Sequence, residues 1–374
     1  MIPNLSKNCG EFGNSIVHGS NLFLEGYRVG DMFNFKANVA VLLLLIFISP
    51  ASLSFEFTIV THNIWNSLAT SYDVTTKKEN TPLNCSESES SKNEFDARFE
   101  AYLAQLDEIV DREKPFIIGF QEAMNRTKYV CDKPFIQEVD EYFSPNVVNR
   151  FYGLVSKSYY GDKNGGFSAR TGPSGIVGIY KGEAVVTNVK IEDENYLGLT
   201  GTEGTDTGAI ALFQDFGDGK NIWFVTTHFV WADGDVQKSL IDARDMIRQF
   251  KAKFIEKPAP VIFVGDFNID YQINDQYNEL IEAFEKEFPG VVDITQHIAN
   301  TKHNASKNSP EKIDYIFYYS PEGKIKPKVD QVVIGEEFLS TFNVPAAYTE
   351  EAICVMEKCT PDHKMIWAKF EWID

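Results

Sequence analysis

Apolar residues recur along this chain in two rhythms. Between Glu94 and Glu113 the run EFDARFEAYLAQLDEIVDRE places Phe95, Phe99, Tyr102, Leu106, Ile109 and Val110 at helical spacing. That predicts an amphipathic helix, which Pro115 stops. A second stripe, Val236, Leu240, Ala243, Ile247, Phe250 and Phe254, alternates steps of four and three, and a further helix is expected around Leu280 to Phe284. The other rhythm is a short, nearly continuous apolar run, the pattern of a strand covered on both faces. It recurs in FEFTIVTHNIW, PFIIGFQEA, NIWFVTTHF, VIFVGDFNID, KIDYIFYY and HKMIWAKFEW. From about Tyr152 to Phe216 the chain reads as strands joined by Gly-rich turns, and the polar stretch Ser71 to Asn93 reads as a surface loop. Strands outnumber helices, and the helices fall between strand groups. The expected fold is α+β: a four-layer sandwich of two mainly antiparallel β-sheets packed face to face, with helices on the outside.

The strand ends break the apolar pattern. TIVTHN ends on Asn63, FIIGFQE on Glu122, WFVTTH on His228, and FVGDFN on Asp266 and Asn268. Asp314 opens IDYIFYY, and Asp362 with His363 opens the last strand. Side chains alternate along a strand, so Asp266 and Asn268 share a side if the extended conformation persists through Phe267. Singly, each end reads more readily as a turn, a cap or a satisfied histidine than as a site. If the ends meet at one edge of the sheets, they gather three Asp, one Glu, two Asn and two His. Clustered carboxylates resist ionising together unless a cation sits among them. Oxygen and amide donors without thiolate suit Mg²⁺, with Mn²⁺ as the other candidate, rather than structural zinc. Histidines beside such an ion can move protons at neutral pH, and metal with proton shuttles describes hydrolysis of phosphate esters.

Composition changes this picture in two ways. At 374 residues, 43% of them hydrophobic, the chain can fill a large core. The net charge of -19 argues against an electrostatic grip on nucleic acid, although a bound divalent cation can supply local positive charge. From Met32 a short start with Lys36 leads into an apolar run from Val39 to Ile48, then Pro50 and small residues. This matches a secretory signal with Ser52 and Ser54 placed for cleavage before Phe55. The other reading is a membrane anchor, against which the run is only about half of the roughly 20 residues a spanning helix needs. The expected organisation is an upstream extension over 1–31, a signal peptide over 32–54 and one catalytic domain over 55–374, secreted to the extracellular space.

Cysteine usage is consistent with that address. Apart from Cys9, ahead of the signal, the chain carries Cys85, Cys131, Cys354 and Cys359. An even number in an exported protein suggests two disulfides. Sequence proximity favours Cys354 with Cys359 and Cys85 with Cys131, but four cysteines allow three pairings. Asn84, Asn125 and Asn304 head glycosylation sequons. Asn125 lies three residues past Glu122, so its use as a sequon and its use at a site would exclude each other.

Taken in order, HNIW, GFQEAMN, TTHF, GDFN, IDYIF and PDH resemble the motifs of the endonuclease/exonuclease/phosphatase superfamily. That group includes pancreatic-type deoxyribonuclease, abasic-site endonucleases, inositol polyphosphate phosphatases and neutral sphingomyelinases. The resemblance spans roughly Phe57 to Phe370, and it departs from the usual Ser-Asp-His only at Pro361. It implies that Glu122 is the principal metal ligand, with Asn63 and Asp362 close to the ion. It implies that Asp266 and Asn268 orient the attacking water and the phosphate. His363, held by Asp314, becomes the general base or the partner of the phosphoryl oxygens, and His228 the general acid. The implied mechanism is in-line attack by water without a covalent intermediate.

Substrate is read from fewer residues. IIGFQEAMN and IDYIF look closer to the sphingomyelinase-like branch, so a phospholipid phosphodiester is favoured. The segment Glu336 to Tyr348, with Phe338, Leu339, Phe342 and Val344, either touches a membrane surface peripherally or packs under its own loop. The alternative is a secreted deoxyribonuclease-like enzyme, for which Lys157, Lys163, Arg170, Tyr159 and Tyr160 offer a small strand-gripping patch. Trp65 and Trp231 either shape a pocket or belong to the core. A catalytically dead binding protein on this fold would be expected to lack a site residue, and every one is present. No obligate protein partner is evident.

Overall fold

The computed structural model describes residues 54–63, 70–73, 78–82, 100, 102–121, 139, 142, 149–151, 184–199, 208–230, 236–304, 309–328, 333–334 and 363–373. The chain divides into two units, Met1–Leu53 and Ser54–Asp374, and all of these residues lie in the second. The expected extension, 1–31, and the expected signal segment, 32–54, except for Ser54, lie outside the described residues. No helix among those described is long and apolar enough to cross a membrane.

In chain order the elements are β1 (Glu56–Asn63), β2 (Thr70–Asp73), β3 (Lys78–Pro82), α1 (residues 102–109), β4 (Phe116–Gln121) and β5 (Asn149–Phe151). Then follow β6 (Ala184–Thr187), β7 (Lys190–Gly198), β8 (Gly208–Asp215), β9 (Asn221–His228), α2 (Val236–Phe254), β10 (Val261–Asp266) and α3 (Asn274–Glu287). The last are β11 (Val292–Asp293), β12 (Lys302–Asn304), β13 (Ser309–Glu311), β14 (Asp314–Tyr319), β15 (Ile325–Pro327), β16 (Val333–Ile334) and β17 (Ile366–Trp372). The first sheet has the order β15-β17-β1-β4-β6-β5, with β16 beside β17, and the second β11-β14-β10-β9-β8-β7.

Both large sheets are built around the same unit. Strand β1 pairs in parallel with β4, and β9 pairs in parallel with β10, while the other ladders are antiparallel. A parallel pair needs a long crossover, and α1 and α2 lie in those two connections. The antiparallel neighbours β17 and β14 then flank the pairs on one side. Parallel strands end at the same edge, and antiparallel neighbours begin there. That is why polar residues sit at the ends of four strands and at the starts of two.

Strand alternation divides the core in two. Phe57, Ile59 and Ile117 of the first sheet pack against Ile210, Leu212, Phe224, Ile262, Val264 and Ile316 of the second. The opposite face of the second sheet, with Trp223, Val225, Phe263, Tyr315 and Phe317, is covered by Leu240, Ile247 and Phe250 of α2 and by Leu280 and Phe284 of α3. On the outer face of the first sheet, the Tyr102 ring of α1 stacks on His62 of β1 at 5.7 Å. The expected four-layer α+β sandwich is the observed one. Helix α1 stops at Ile109, a turn short of the sequence pattern, and residues 112 and 113 form a turn. The residue before a proline disfavours helical backbone, and Lys114 occupies that place.

Candidate functional site

Pairing register places three site residues side by side. Asp266, the last residue of β10, is opposite His228 of β9 on one side and opposite Asp314 of β14 on the other. His228, Asp266 and Asp314 thus form one row across the edge of the second sheet. In the first sheet Asn63 is opposite Gln121 at the same edge of the sandwich. Alternation settles the facing: Asp266 follows Ile262 and Val264 on the side turned to the first sheet, and His228 follows Phe224 in the same way. All four site side chains, with His363, are buried.

Asp266 is the hub. Its Oδ2 accepts the Asn63 Nδ2 amide at 2.9 Å, across the two sheets. The same oxygen lies 3.5 Å from His228 Nε2 and 3.6 Å from His363 Nε2. Both separations are too long for a firm hydrogen bond, so these are close approaches rather than fixed bonds. On the far side of its ring, His363 Nδ1 lies 2.9 Å from Asp314 Oδ2. A carboxylate accepting from Nδ1–H leaves Nε2 as the basic nitrogen, aimed at Asp266. The residues expected to act together, Asn63, His228, Asp266, Asp314 and His363, are brought to one place.

Asn268 arrives by a different route from the one expected. The strand stops at Asp266, and Asn268 adopts left-handed backbone with φ 49°. Its N–H donates to Asp266 Oδ1 at 2.9 Å, and its Nδ2 donates to the Phe229 carbonyl at 2.7 Å. Asparagine tolerates this conformation because its short amide can bond locally. Asn268 therefore braces the backbone beside His228 instead of continuing the β10 face.

The segment after His228 is held at every backbone group of two residues. Phe229 N–H donates to the Asp266 carbonyl at 2.9 Å. Val230 N–H donates to Asp242 Oδ2 at 2.9 Å, and the Val230 carbonyl accepts from Ser239 Oγ at 2.8 Å. Helix α2 thus grips the chain two residues beyond His228. Thr301 does the same for Asp314, its hydroxyl accepting from the Ile313 and Asp314 N–H groups at 3.1 and 3.0 Å. Such bracing of backbone and ring fixes the geometry of a site better than the reacting groups do alone.

Four features escaped the sequence reading. Beneath the site, Gln121 Nε2 donates to Thr226 Oγ1 at 2.8 Å and to Thr61 Oγ1 at 3.2 Å, a buried polar bridge between the sheets. Two residues before Gln121, Gly119 leaves room for the facing sheet, since a β-carbon there would lie 2.8 Å from Thr226 Oγ1. Gly265 has φ 135°, and a β-carbon on it would lie 2.0 Å from the Thr227 carbonyl oxygen. His62 is also buried, its Nδ1 3.2 Å from the Tyr102 hydroxyl and its Nε2 3.2 Å from the His363 carbonyl oxygen. The His62 pKa is lowered to about 3, chiefly by burial; the bond to the His363 carbonyl opposes this, and the neighbouring His363 charge adds to it. Only the position of His62 beside Asn63 in HNIW could have drawn attention to it.

Other expected residues lie outside the described ones. These are Glu122 and Asp362 among the metal ligands, Trp65 and Trp231, the cysteines Cys85, Cys131, Cys354 and Cys359, and the sequon residues Asn84 and Asn125. The basic and aromatic group Lys157, Tyr159, Tyr160, Lys163 and Arg170 and the segment 336–348 lie there too. Asn304 is the last residue of β12.

The described donors fit a divalent cation. Asp266, Asp314 and His363 offer ligand atoms within 4.8 Å of one another. The Asn63 amide nitrogen donates to Asp266, and only the carbonyl oxygen of that amide has the chemistry of a ligand to a hard ion. Two buried carboxylates with amide and imidazole and no thiolate suit a hard ion. Asp314 already bonds to the His363 ring, so Asp266 is the better-placed carboxylate donor.

A sequence model described as the Endonuclease/Exonuclease/phosphatase family matches residues 60–333. No curated protein matches by sequence. Among solved structures the chain is similar to the human Nocturnin catalytic domain with bound sulfate anion, at 14% identity and TM-score 0.52, over 86% of this chain and 96% of that one. It is similar to TDP2 from Caenorhabditis elegans at 14% identity and TM-score 0.50, over 91% and 83%. It is also similar to an endonuclease/exonuclease/phosphatase from Beutenbergia cavernae at 12% identity and TM-score 0.51, over 85% and 72%. At these identities the likeness is one of fold.

Proposed function

The chain belongs to the endonuclease/exonuclease/phosphatase family, whose members are divalent-metal-dependent phosphoesterases and nucleases, and we propose that it hydrolyses a phosphodiester by direct attack of water. The observation that carries this reading is the arrangement around Asp266. One carboxylate oxygen faces the Nε2 atoms of two buried histidines, and one of those histidines is backed by a second carboxylate. A base, an acid and an anionic hub on one edge are what in-line displacement at phosphorus requires.

The contacts support the following role for each residue. Asp314 fixes the His363 tautomer and stabilises the imidazolium, so His363 Nε2 can take a proton from the attacking water or hold a phosphoryl oxygen. Asp266, between the two rings, orients that water. His228 donates a proton to the leaving oxygen from the other side of Asp266. Asn63 and Asp266, joined by Glu122 and Asp362, would hold Mg²⁺ or Mn²⁺. Such an ion, when bound, offsets charge on the phosphoryl oxygens. Asn268 contributes by holding the Phe229 carbonyl and so the backbone next to His228.

The substrate we propose is a phospholipid phosphodiester, acted on outside the cell by a secreted enzyme. The net charge of -19 and the likeness of IIGFQEAMN and IDYIF to the sphingomyelinase-like branch support it. The test is a parallel assay of the protein on sphingomyelin micelles and duplex DNA, with Mg²⁺ present or chelated and His363→Ala as control. Metal-dependent, His363-dependent release from the lipid alone is the expected result. DNA cleavage alone would replace the lipid reading with a deoxyribonuclease-like one. No hydrolysis of either, or of other phosphate esters, would leave a binding protein on a hydrolase fold.

A further inference from the structure

The backbone of His363 stands just outside a ladder. The β1–β17 register runs from Glu56↔Glu371 to Thr61↔Ile366 and stops there. Beyond it the chain turns to other partners, and Lys364 N–H donates to the Thr301 carbonyl at 2.7 Å. His363 lies three residues before Ile366, past the end of that ladder, and a side chain of β1 reaches its backbone. His62 Nε2 lies 3.2 Å from the His363 carbonyl oxygen.

The chemistry of this contact fixes the ring. A carbonyl only accepts, so Nε2 of His62 carries the proton and donates. Nδ1 is then the acceptor, and the Tyr102 hydroxyl at 3.2 Å donates to it. The Tyr102 and His62 rings lie nearly parallel, 18° apart. A directed series results: the Tyr102 hydroxyl of α1 to His62, His62 to the His363 backbone, and the His363 ring to Asp314. The neutral form with the proton on Nε2 satisfies both bonds of the His62 ring.

We infer that His62, oriented by Tyr102, is a positioning residue for His363: its hydrogen bond to the His363 carbonyl holds the backbone from which the His363 ring reaches both Asp314 and Asp266. This rests on the hydrolase reading of the same site. A shift of the backbone carries the ring with it, and misplacement of a reacting group by about 1 Å costs on the order of 100-fold in rate. The described hydrogen bonds of His62 run to Tyr102 and to the His363 carbonyl, and the inferred influence is the one through His363.

Two substitutions separate the bonds. Glutamine in His62→Gln places an amide nitrogen near the position of Nε2 and keeps the donor to the His363 carbonyl. Asparagine in His62→Asn places an amide oxygen near the position of Nδ1 and keeps only the acceptor for Tyr102. The measurement is kcat and KM on the phosphodiester found active with wild type, with thermal unfolding and the downfield proton resonance of His363 Nδ1–H read on the same samples. The expected result is kcat about 10- to 100-fold lower in His62→Asn with KM unchanged, and within a few-fold of wild type in His62→Gln. The Nδ1–H resonance should persist in His62→Gln and broaden or vanish in His62→Asn.

If both variants unfold at similar temperatures and show equal kcat, the inference is wrong and His62 is only part of the packing. It is equally wrong if the His363 resonance is the same in all three proteins. Inactive wild type would instead sink the hydrolase reading, and the resonance comparison would still decide whether His62 positions His363.

Discussion

Asn63 of the first sheet donates its amide to Asp266 of the second at 2.9 Å, so one hydrogen bond spans the two layers at the edge where the polar strand ends converge. The packed inner faces set how the sheets lie, and this bond, with the Gln121–Thr226 bond, ties them at the edge. Here the clamp is also the site.

Breaking that clamp has a double cost. Asn63→Ala removes a hydrogen bond to a charged group, worth about 1.5–3 kcal/mol, and frees Asp266 from its position between the two histidines. Thermal unfolding should fall by several degrees, while turnover falls by about 100-fold. Turnover close to wild type would show that Asp266 is held by other contacts.

Gly265 separates a backbone requirement from a chemical one. At φ 135° with the Thr227 carbonyl 2.0 Å from a built β-carbon, alanine can be admitted only if β9 and β10 part. Gly265→Ala should destabilise by more than about 3 kcal/mol, read as loss of the cooperative melt or of soluble protein. A normal melt would mean that the parallel pair is more pliable than this contact allows.

His62 makes stability depend on pH in a stated direction. Its folded pKa is about 3 against about 6.5 unfolded, so between those values the unfolded chain binds the extra proton. Stability is complete above pH 6.5 and declines as pH falls toward 3. Between pH 6.5 and 5 the carboxylates contribute little, which isolates the histidines. Urea unfolding of His62→Gln should show a flatter pH dependence than wild type over that interval, and parallel curves would contradict the burial argument.

Chelation should abolish hydrolysis, and Mg²⁺ or Mn²⁺ should restore it. Because an ion that binds only the folded state stabilises it by about 2.7 kcal/mol at 100 times its Kd, added Mg²⁺ should also raise the melting temperature of the chelated protein. The rise should shrink in Asp266→Asn. Undiminished activity in excess chelator would remove the metal from the mechanism.

The sequence by itself determined the polar strand ends and the elements that carry them. Alternation and helical spacing are properties of a single segment's backbone, and they are legible wherever a segment is buried on a regular face. VIFVGD, WFVTTH and IDYIF could therefore be read as strands, and Asp266, His228 and Asp314 as residues at their tips. Motif order added the roles. What only the tertiary structure decided was which tips become neighbours. The row His228–Asp266–Asp314 depends on the register of three strands far apart in the chain, and the Asn63–Asp266 bond on how two sheets are offset. Neither leaves a local trace, because register and sheet packing are set by the fit of whole faces rather than by any one segment. The turn of Asn268 into left-handed backbone is of the same kind: the sequence FNID permits it, and the Phe229 carbonyl across the strand end selects it. His62 shows the limit most plainly. On its own it is one polar residue in an apolar strand. Only the fold brings Tyr102 to one side of its ring and the His363 carbonyl to the other.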